Sequence, residues 1–271
     1  MPYTVNCSIL LTELPLLQRP AAAKAAGFDA VEFWWPFAAA VPTESDIADF
    51  ENAITDADVR LTGLNFAAGD MPAGDRGLVS WPARSHEFRD NLAVAAGIGG
   101  RLGCTSFNAL YGNRIDGVTA EEQDELAVEN LSLAARSVAP IGGTVLLEPV
   151  SGAPRYPLRT AADVLAVIDR VRAETGDTNI KLLADFYHLA VNGDDVDAVI
   201  IEHAHEFGHI QIADAPGRGE PGTGTLPIQE WLAHSQGLGY QGVIGLEYKT
   251  AAANPFAWLD AVQPATSIHH Q

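Results

Sequence analysis

Four segments of the chain end or interrupt an apolar run with a side chain that can hold a cation or carry a proton. "TVLLEPV" reaches Glu148, "IKLLADFYH" reaches Asp185, "HIQIAD" carries Gln211 and "GVIGLEYK" carries Glu247. Singly, each has an ordinary structural explanation, since a buried carboxylate can pair with an arginine and a glutamine can satisfy backbone groups. Several anions gathered in one small volume are another matter, because only a compensating cation makes their burial affordable. Glu148, Asp185, Glu247 and the carbonyl of Gln211 are all oxygen donors. Such a set favours a hard divalent ion, Mg2+ or Mn2+, over the zinc that a Cys/His site would hold.

These side chains must be brought together by elements, and the chain supplies a repeating pattern of them. Compact apolar runs alternate with longer amphipathic stretches: "VNCSIL" from Val5, "FDAVEFW" from Phe28, "VRLTGLNF" from Val59, "CTSFNAL" from Cys104, "TVLLEPV" from Thr144, "IKLLADF" from Ile180, "GHIQIAD" from Gly208 and "GVIGLEYK" from Gly242. Between them lie helical patterns such as "TAEEQDELAVENLSLAARSVA", in which Thr119 and Glu122 have the spacing of a capping box. Strands alternating with helices imply parallel pairing through right-handed crossovers. Eight units in this length match a single (β/α)8 TIM barrel spanning residues 1–271. A doubly wound open sheet is the competitor, but no G-x-G-x-x-G follows the first run. The "GIGG" of Gly97 to Gly100 reads as a helix ending.

In such a barrel the active site lies where the strands end, which is where the four oxygen donors fall. Alternation sets their direction. In the seventh run Ile210 and Ile212 face the helices while His209, Gln211 and Ala213 face inward. In the eighth, Ile244, Leu246 and Tyr248 alternate with Gly245, Glu247 and Lys249. After Gln211 comes "DAPGRGEPGTG", whose glycines let backbone approach a ligand and whose Arg218 offers a planar fork to carboxylate or hydroxyl oxygens; an exposed turn pairing Arg218 with Glu220 is the alternative.

Composition narrows the function further. Lys+Arg 16 against Asp+Glu 35 gives a net charge of −19, which repels phosphate backbones and anionic membrane surfaces, so neither nucleic acid nor a membrane is an expected partner. Cys7 and Cys104 both lie in apolar runs and read as free, buried thiols in a reducing compartment. The N-terminus lacks a basic region before its short apolar stretch, and no run approaches the ~20 apolar residues of a membrane span, which gives a cytoplasmic expectation. The tryptophans of "EFWWPFAAAVP" can cover the site mouth, form a contact in a homo-oligomer or pack in the core; following the second strand, Trp34 or Trp35 is expected at the mouth.

Taken together, "AAGDMPAGDRG" from Ala67, "LLEPV" around Glu148, "ADFYH" from Ala184, "IQIADAPGRGEPGTG" from Ile210 and "GLEYK" ending at Lys249 resemble the hydroxypyruvate isomerase family of xylose isomerase-like TIM barrels, a group that also includes ketose 3-epimerases and endonuclease IV. The resemblance implies that Glu148 and Glu247 are an acid/base pair and also metal ligands, that Asp185 and Gln211 complete the metal site, and that His188 and Arg218 contact substrate oxygens. The chain departs from the family pattern in "VSGAPRYP" after "LLEP" and in Thr225 after "GTG". The implied reaction moves a proton between adjacent carbons of a small sugar acid through an enediolate, most simply hydroxypyruvate to tartronate semialdehyde, with a divalent metal and no organic cofactor. For such a substrate Lys249 either receives the carboxylate or pairs with a neighbouring acid. His188 either polarises an oxygen or bonds to backbone, and Asn65 either reaches the substrate or caps a turn. Rival expectations are a 2-oxo-tetronate isomerase, a ketose 3-epimerase, a sugar-acid binder without turnover, and a nuclease. The last calls for a basic groove and clustered histidines, whereas His269 and His270 fall in the tail and His203 and His205 in and just after a helical stretch.

Overall fold

Eight short parallel strands close into a barrel, each paired with its neighbours in chain order and the last with the first. They are β1 (Tyr3–Asn6), β2 (Ala30–Phe33), β3 (Arg60–Asn65), β4 (Ser106–Asn108), β5 (Thr144–Leu147), β6 (Ile180–Asp185), β7 (Phe207–Ile212) and β8 (Ile244–Leu246). The computed structural model describes residues 2–262, so His269 and His270 lie outside the described residues. Every run expected to be a strand overlaps one, though β1 begins two residues before its run, at Tyr3, and β7 one residue before, at Phe207. Some of the residues that follow the strands, such as Trp34, Leu110 and Val150, line the mouth instead of extending the ladder.

The crossovers carry α1 (Arg19–Ala25), α2 (Glu44–Asp56), α3 (Ser85–Leu102), α4 (Ala120–Val138), α5 (Ala161–Thr175), α6 (Phe186–Asn192), α7 (Val196–His203) and α8 (Ile228–Gly237), with α9 (Trp258–Val262) after the last strand. Three helices start with a complete capping box, Thr43 with Asp46, Thr119 with Glu122 and Thr160 with Asp163, so each satisfies two otherwise orphaned backbone N–H groups. The "GIGG" segment is not a helix ending. It lies inside α3, where the absence of a side chain on Gly99 lets the ring of Phe107 pack against the helix, and the helix stops instead at Gly103 with φ of 72°.

Outward-facing strand residues such as Val145, Leu147, Ile210, Ile212, Ile244 and Leu246 are fully buried in the layer between sheet and helices. That layer, rather than the barrel interior, is the main apolar core. Cys7 and Cys104 are buried and unpaired by any disulfide. Among the described residues, no helix is long and apolar enough to cross a membrane.

Candidate active site

Four strand ends deliver the polar side chains picked out from the sequence, and each is buried: Glu148 just past β5, Asp185 ending β6, Gln211 within β7 and Glu247 just past β8. Local structure fixes each one. Asp185 ends its strand and caps the helix that follows: its Oδ1 accepts from the backbone N–H of His188 at 3.1 Å, while Oδ2 has no hydrogen-bond partner. Glu148 accepts from Asn108 Nδ2 at 2.7 Å through Oε2, and its own carbonyl accepts from the buried Tyr156 hydroxyl at 3.0 Å. Gln211 donates from Nε2 to Glu32 Oε1 at 2.8 Å, leaving its Oε1 buried without a partner. Glu247 accepts from Asn6 Nδ2 at 2.9 Å and from Arg218 at 2.5 Å.

Buried oxygens without partners are costly in a folded protein and call for an explanation. Here two of them, on Asp185 and Gln211, belong to a set of carboxylate and carbonyl donors. Ligand atoms of Glu148, Asp185 and His188 lie within 4.8 Å of one another. That donor chemistry fits a hard divalent cation. His188, however, is the wrong kind of donor. Its Nδ1 accepts from the backbone N–H of Ser151 at 3.0 Å, so in the neutral ring the proton sits on Nε2, the atom 3.7 Å from Glu148 and 3.6 Å from Asp185. A protonated ring nitrogen has no lone pair for a metal. His188 therefore presents an N–H to the site, and burial pushes its pKa down to about 4, which keeps it neutral.

Burial of Glu148 and Glu247 favours the protonated form of each. Burial pushes Glu148 up to about 8, with the neighbouring charge of Asp185 adding to the shift. Burial also raises Glu247 well above the ordinary carboxylate range, against the opposing pull of Arg218. Proton carriers tuned towards neutral pH are what acid/base chemistry requires, and a cation among them would draw both back down.

The loop after β7 reaches this mouth. Arg218 adopts a left-handed φ of 59°, a conformation that costs about 1 kcal/mol or more for a residue with a side chain. Its side chain pairs with Glu247, lies 3.6 Å from Asp185 and stacks over Tyr187 at 5.5 Å. It does not pair with Glu220, which bonds to Thr250 instead. Asp214 organises the loop: buried, it accepts from the N–H groups of Ala215, Gly222, Gly224 and Leu226 at 2.8 to 3.0 Å.

A cavity of about 560 Å3 opens above the carboxylates, lined among others by Asn65, Glu148, His188, Arg218, Glu247 and Lys249. The structure thus brings all the substrate contacts expected from sequence to one cavity. Lys249 is exposed and, among the described residues, forms no ion pair; its backbone N–H donates to the Arg218 carbonyl at 2.6 Å. The Asn65 side chain, expected to cap a turn or meet substrate, makes no hydrogen bond among the described residues. Trp34 lines the mouth, as its place after β2 suggested. The sequence reading overlooked Glu32, Asn6, Asn108, Asp214, Ser151 and Tyr156, which hold the others in place. For Glu32 a signal existed: a charged residue at inward parity inside an apolar strand.

Residues 20–265 match the family model described as xylose isomerase-like TIM barrel. A protein of Streptomyces coelicolor named putative hydroxypyruvate isomerase is 52% identical over 266 residues, covering 96% of this chain and 95% of its own. The hydroxypyruvate isomerase of Escherichia coli is 32% identical over 262 residues, covering 95% and 98%. Among solved structures, one described as an AP endonuclease, family 2, from Brucella melitensis superimposes with a TM-score of 0.85 at 29% identity, covering 97% of this chain and all of that one.

Proposed function

This chain belongs to the hydroxypyruvate isomerase family of xylose isomerase-like TIM barrels, and from that premise we propose that it interconverts hydroxypyruvate and tartronate semialdehyde. The observation that carries the proposal is the pair of buried carboxyls, Glu148 and Glu247, lining one cavity with their pKa values pushed up. One removes the proton from C3 of hydroxypyruvate, and the other delivers a proton to C2. The enediolate between these steps carries its charge on oxygen, and the reverse reaction uses the same two groups in exchanged roles. Well-placed acid/base groups of this kind supply about 10²- to 10⁴-fold each.

Other side chains bind and orient. The Nε2–H of His188 donates to a substrate oxygen, held in that tautomer by Ser151. Arg218 offers its guanidinium to the substrate while staying on Glu247, and Lys249 faces the substrate carboxylate. Asn65, with a free amide at the rim, receives a hydroxyl. Glu148, Asp185, Gln211 and Glu247 are the residues that would hold a divalent ion, Mg2+ or Mn2+, which when bound supplies a positive charge next to the oxygens that become negative.

The kinship with a structure described as an AP endonuclease raises nucleic acid as a second reading. Against it stand a net charge of −19 and a donor set in which the only histidine is committed to presenting N–H. No nicking of plasmid containing abasic sites is expected. The test of the main proposal is a metal-by-substrate screen with hydroxypyruvate, 2-oxo-tetronates and ketoses, run on the unaltered chain and on Glu148→Gln and Glu247→Gln. Turnover of hydroxypyruvate, lost in both variants with unchanged circular dichroism, supports it. Near-normal rates in either variant exclude the acid/base pair.

A further inference from the structure

Beneath the candidate metal site lies a further buried carboxylate, one that the proposed chemistry does not use. Glu32, 3% exposed, projects inward from β2. Its Oε1 accepts from Gln211 Nε2 at 2.8 Å and from Asn6 Nδ2 at 3.1 Å, and its Oε2 lies 2.7 Å from His209 Nε2. The barrel makes room for it at two glycines. A Cβ on Gly63 would stand 3.2 Å from the Glu32 Cβ, and one on Gly245 would stand 2.7 Å from both Glu32 Oε1 and Gln211 Cγ. The β2–β3 register shifts between Val31 and Glu32, and Gly63 is the residue that faces Glu32 across the pair.

We propose that Glu32 is a positioning residue that turns the side-chain amide of Gln211 so that Oε1, and not Nε2, faces the metal site; this rests on the reading of Gln211 as a ligand. A glutamine amide has two orientations of nearly equal shape and opposite chemistry. Its oxygen can bind a cation, whereas its nitrogen has no lone pair to give and repels one. A carboxylate has no hydrogen to offer, so each of its neighbours must present an N–H. Flipping Gln211 would place its oxygen against the Glu32 oxygen at hydrogen-bond distance, losing a charge-assisted bond and adding a repulsion. The unpartnered state of Gln211 Oε1 is the other half of the same arrangement. Asn6 is turned in the same sense, its Nδ2 donating to Glu32 Oε1 at 3.1 Å and to Glu247 Oε2 at 2.9 Å, and the bond to Glu247 does not require Glu32.

Mn2+ binding to the full chain, followed by electron paramagnetic resonance of the free ion, tests this without any assay of turnover. Glu32→Leu is expected to weaken Mn2+ binding about 10- to 100-fold, the usual effect of removing a group that orients a ligand. In a Gln211→Leu background the same change is expected to cost less than about twofold, since its target is gone. An unchanged affinity in Glu32→Leu, or an equal loss in both backgrounds, overturns the proposal, the latter because it would mark a general effect of charge or folding. Should Glu32→Leu fail to fold, a crystal structure of the unaltered chain with Mn2+ decides. Gln211 Oε1 on the ion with Nε2 on Glu32 supports the proposal, and Gln211 turned away from the ion or off Glu32 refutes it. Failure of the unaltered chain to bind Mn2+ removes the ligand reading along with this one, whereas binding that is indifferent to Glu32 removes this one alone.

Discussion

Replacing Asp214 by asparagine should loosen the loop that carries Arg218 while sparing the barrel. The Asp214 carboxylate takes the N–H groups of Ala215 and Leu226 on Oδ1 and those of Gly222 and Gly224 on Oδ2. An asparagine keeps one oxygen and turns an NH2 towards the other two donors, so two charge-assisted bonds are lost. At about 1.5 kcal/mol or more each, the closed loop loses about 3 kcal/mol relative to open forms in which those N–H groups meet water. A difference of that size is a factor of about 100 in population. Two assays read it. Trypsin cleavage after Arg218 should accelerate by up to about 100-fold, and kcat/KM for hydroxypyruvate should fall by a similar factor as the guanidinium leaves Glu247. The melting temperature should fall by no more than about 5 °C, the shift that about 3 kcal/mol makes in a chain of 271 residues, because the loop lies at the rim and the layer between sheet and helices is untouched. Unchanged cleavage and unchanged kcat/KM in Asp214→Asn would show that the loop is held by something other than this carboxylate.

Other outcomes follow from the same geometry. Gly245→Ala places a methyl against Gln211, Glu32 and His209, and should cost about 1–3 kcal/mol of stability and weaken Mn2+ binding; an unchanged melting curve would mean that the interior has slack there. Burial pushes the thiols of Cys7 and Cys104 up to about 12, so neither should react with a disulfide reagent at pH 8 until the chain unfolds in guanidinium, when both should; prompt labelling of the native protein would contradict their burial. Exhaustive chelation should abolish turnover and Mg2+ or Mn2+ should restore it, and full activity of the chelated protein would remove the metal from the scheme.

Much of this architecture is legible in the sequence because two signals are local. Alternation in "HIQIAD" and "GVIGLEYK" gives the inward parity of Gln211 and Glu247, and the polar break after "TVLL" and "LLA" marks the ends where Glu148 and Asp185 stand. The supporting residues are harder to see because their partners are distant in sequence. Glu32 meets His209 and Gln211 across 177 and 179 positions, and nothing near it in "FDAVEFW" shows what would satisfy it. Ser151 meets His188 Nδ1 through both its backbone N–H and its hydroxyl, at 3.0 and 2.7 Å, across 37 positions, and a lone serine in a loop gives no sign of so distant a partner. The "GIGG" segment misleads for a different reason: glycine ends helices when a left-handed turn is needed, but Gly99 serves close packing against Phe107.

The most direct measurement of the central claim is proton exchange at carbon. Hydroxypyruvate incubated with the metal-loaded chain in D2O and followed by nuclear magnetic resonance should take up deuterium at C3, and the tartronate semialdehyde formed should carry deuterium at C2. Glu148→Gln and Glu247→Gln should each suppress that uptake. Binding of hydroxypyruvate with every C–H bond left unexchanged would contradict the assignment of Glu148 and Glu247 as proton carriers.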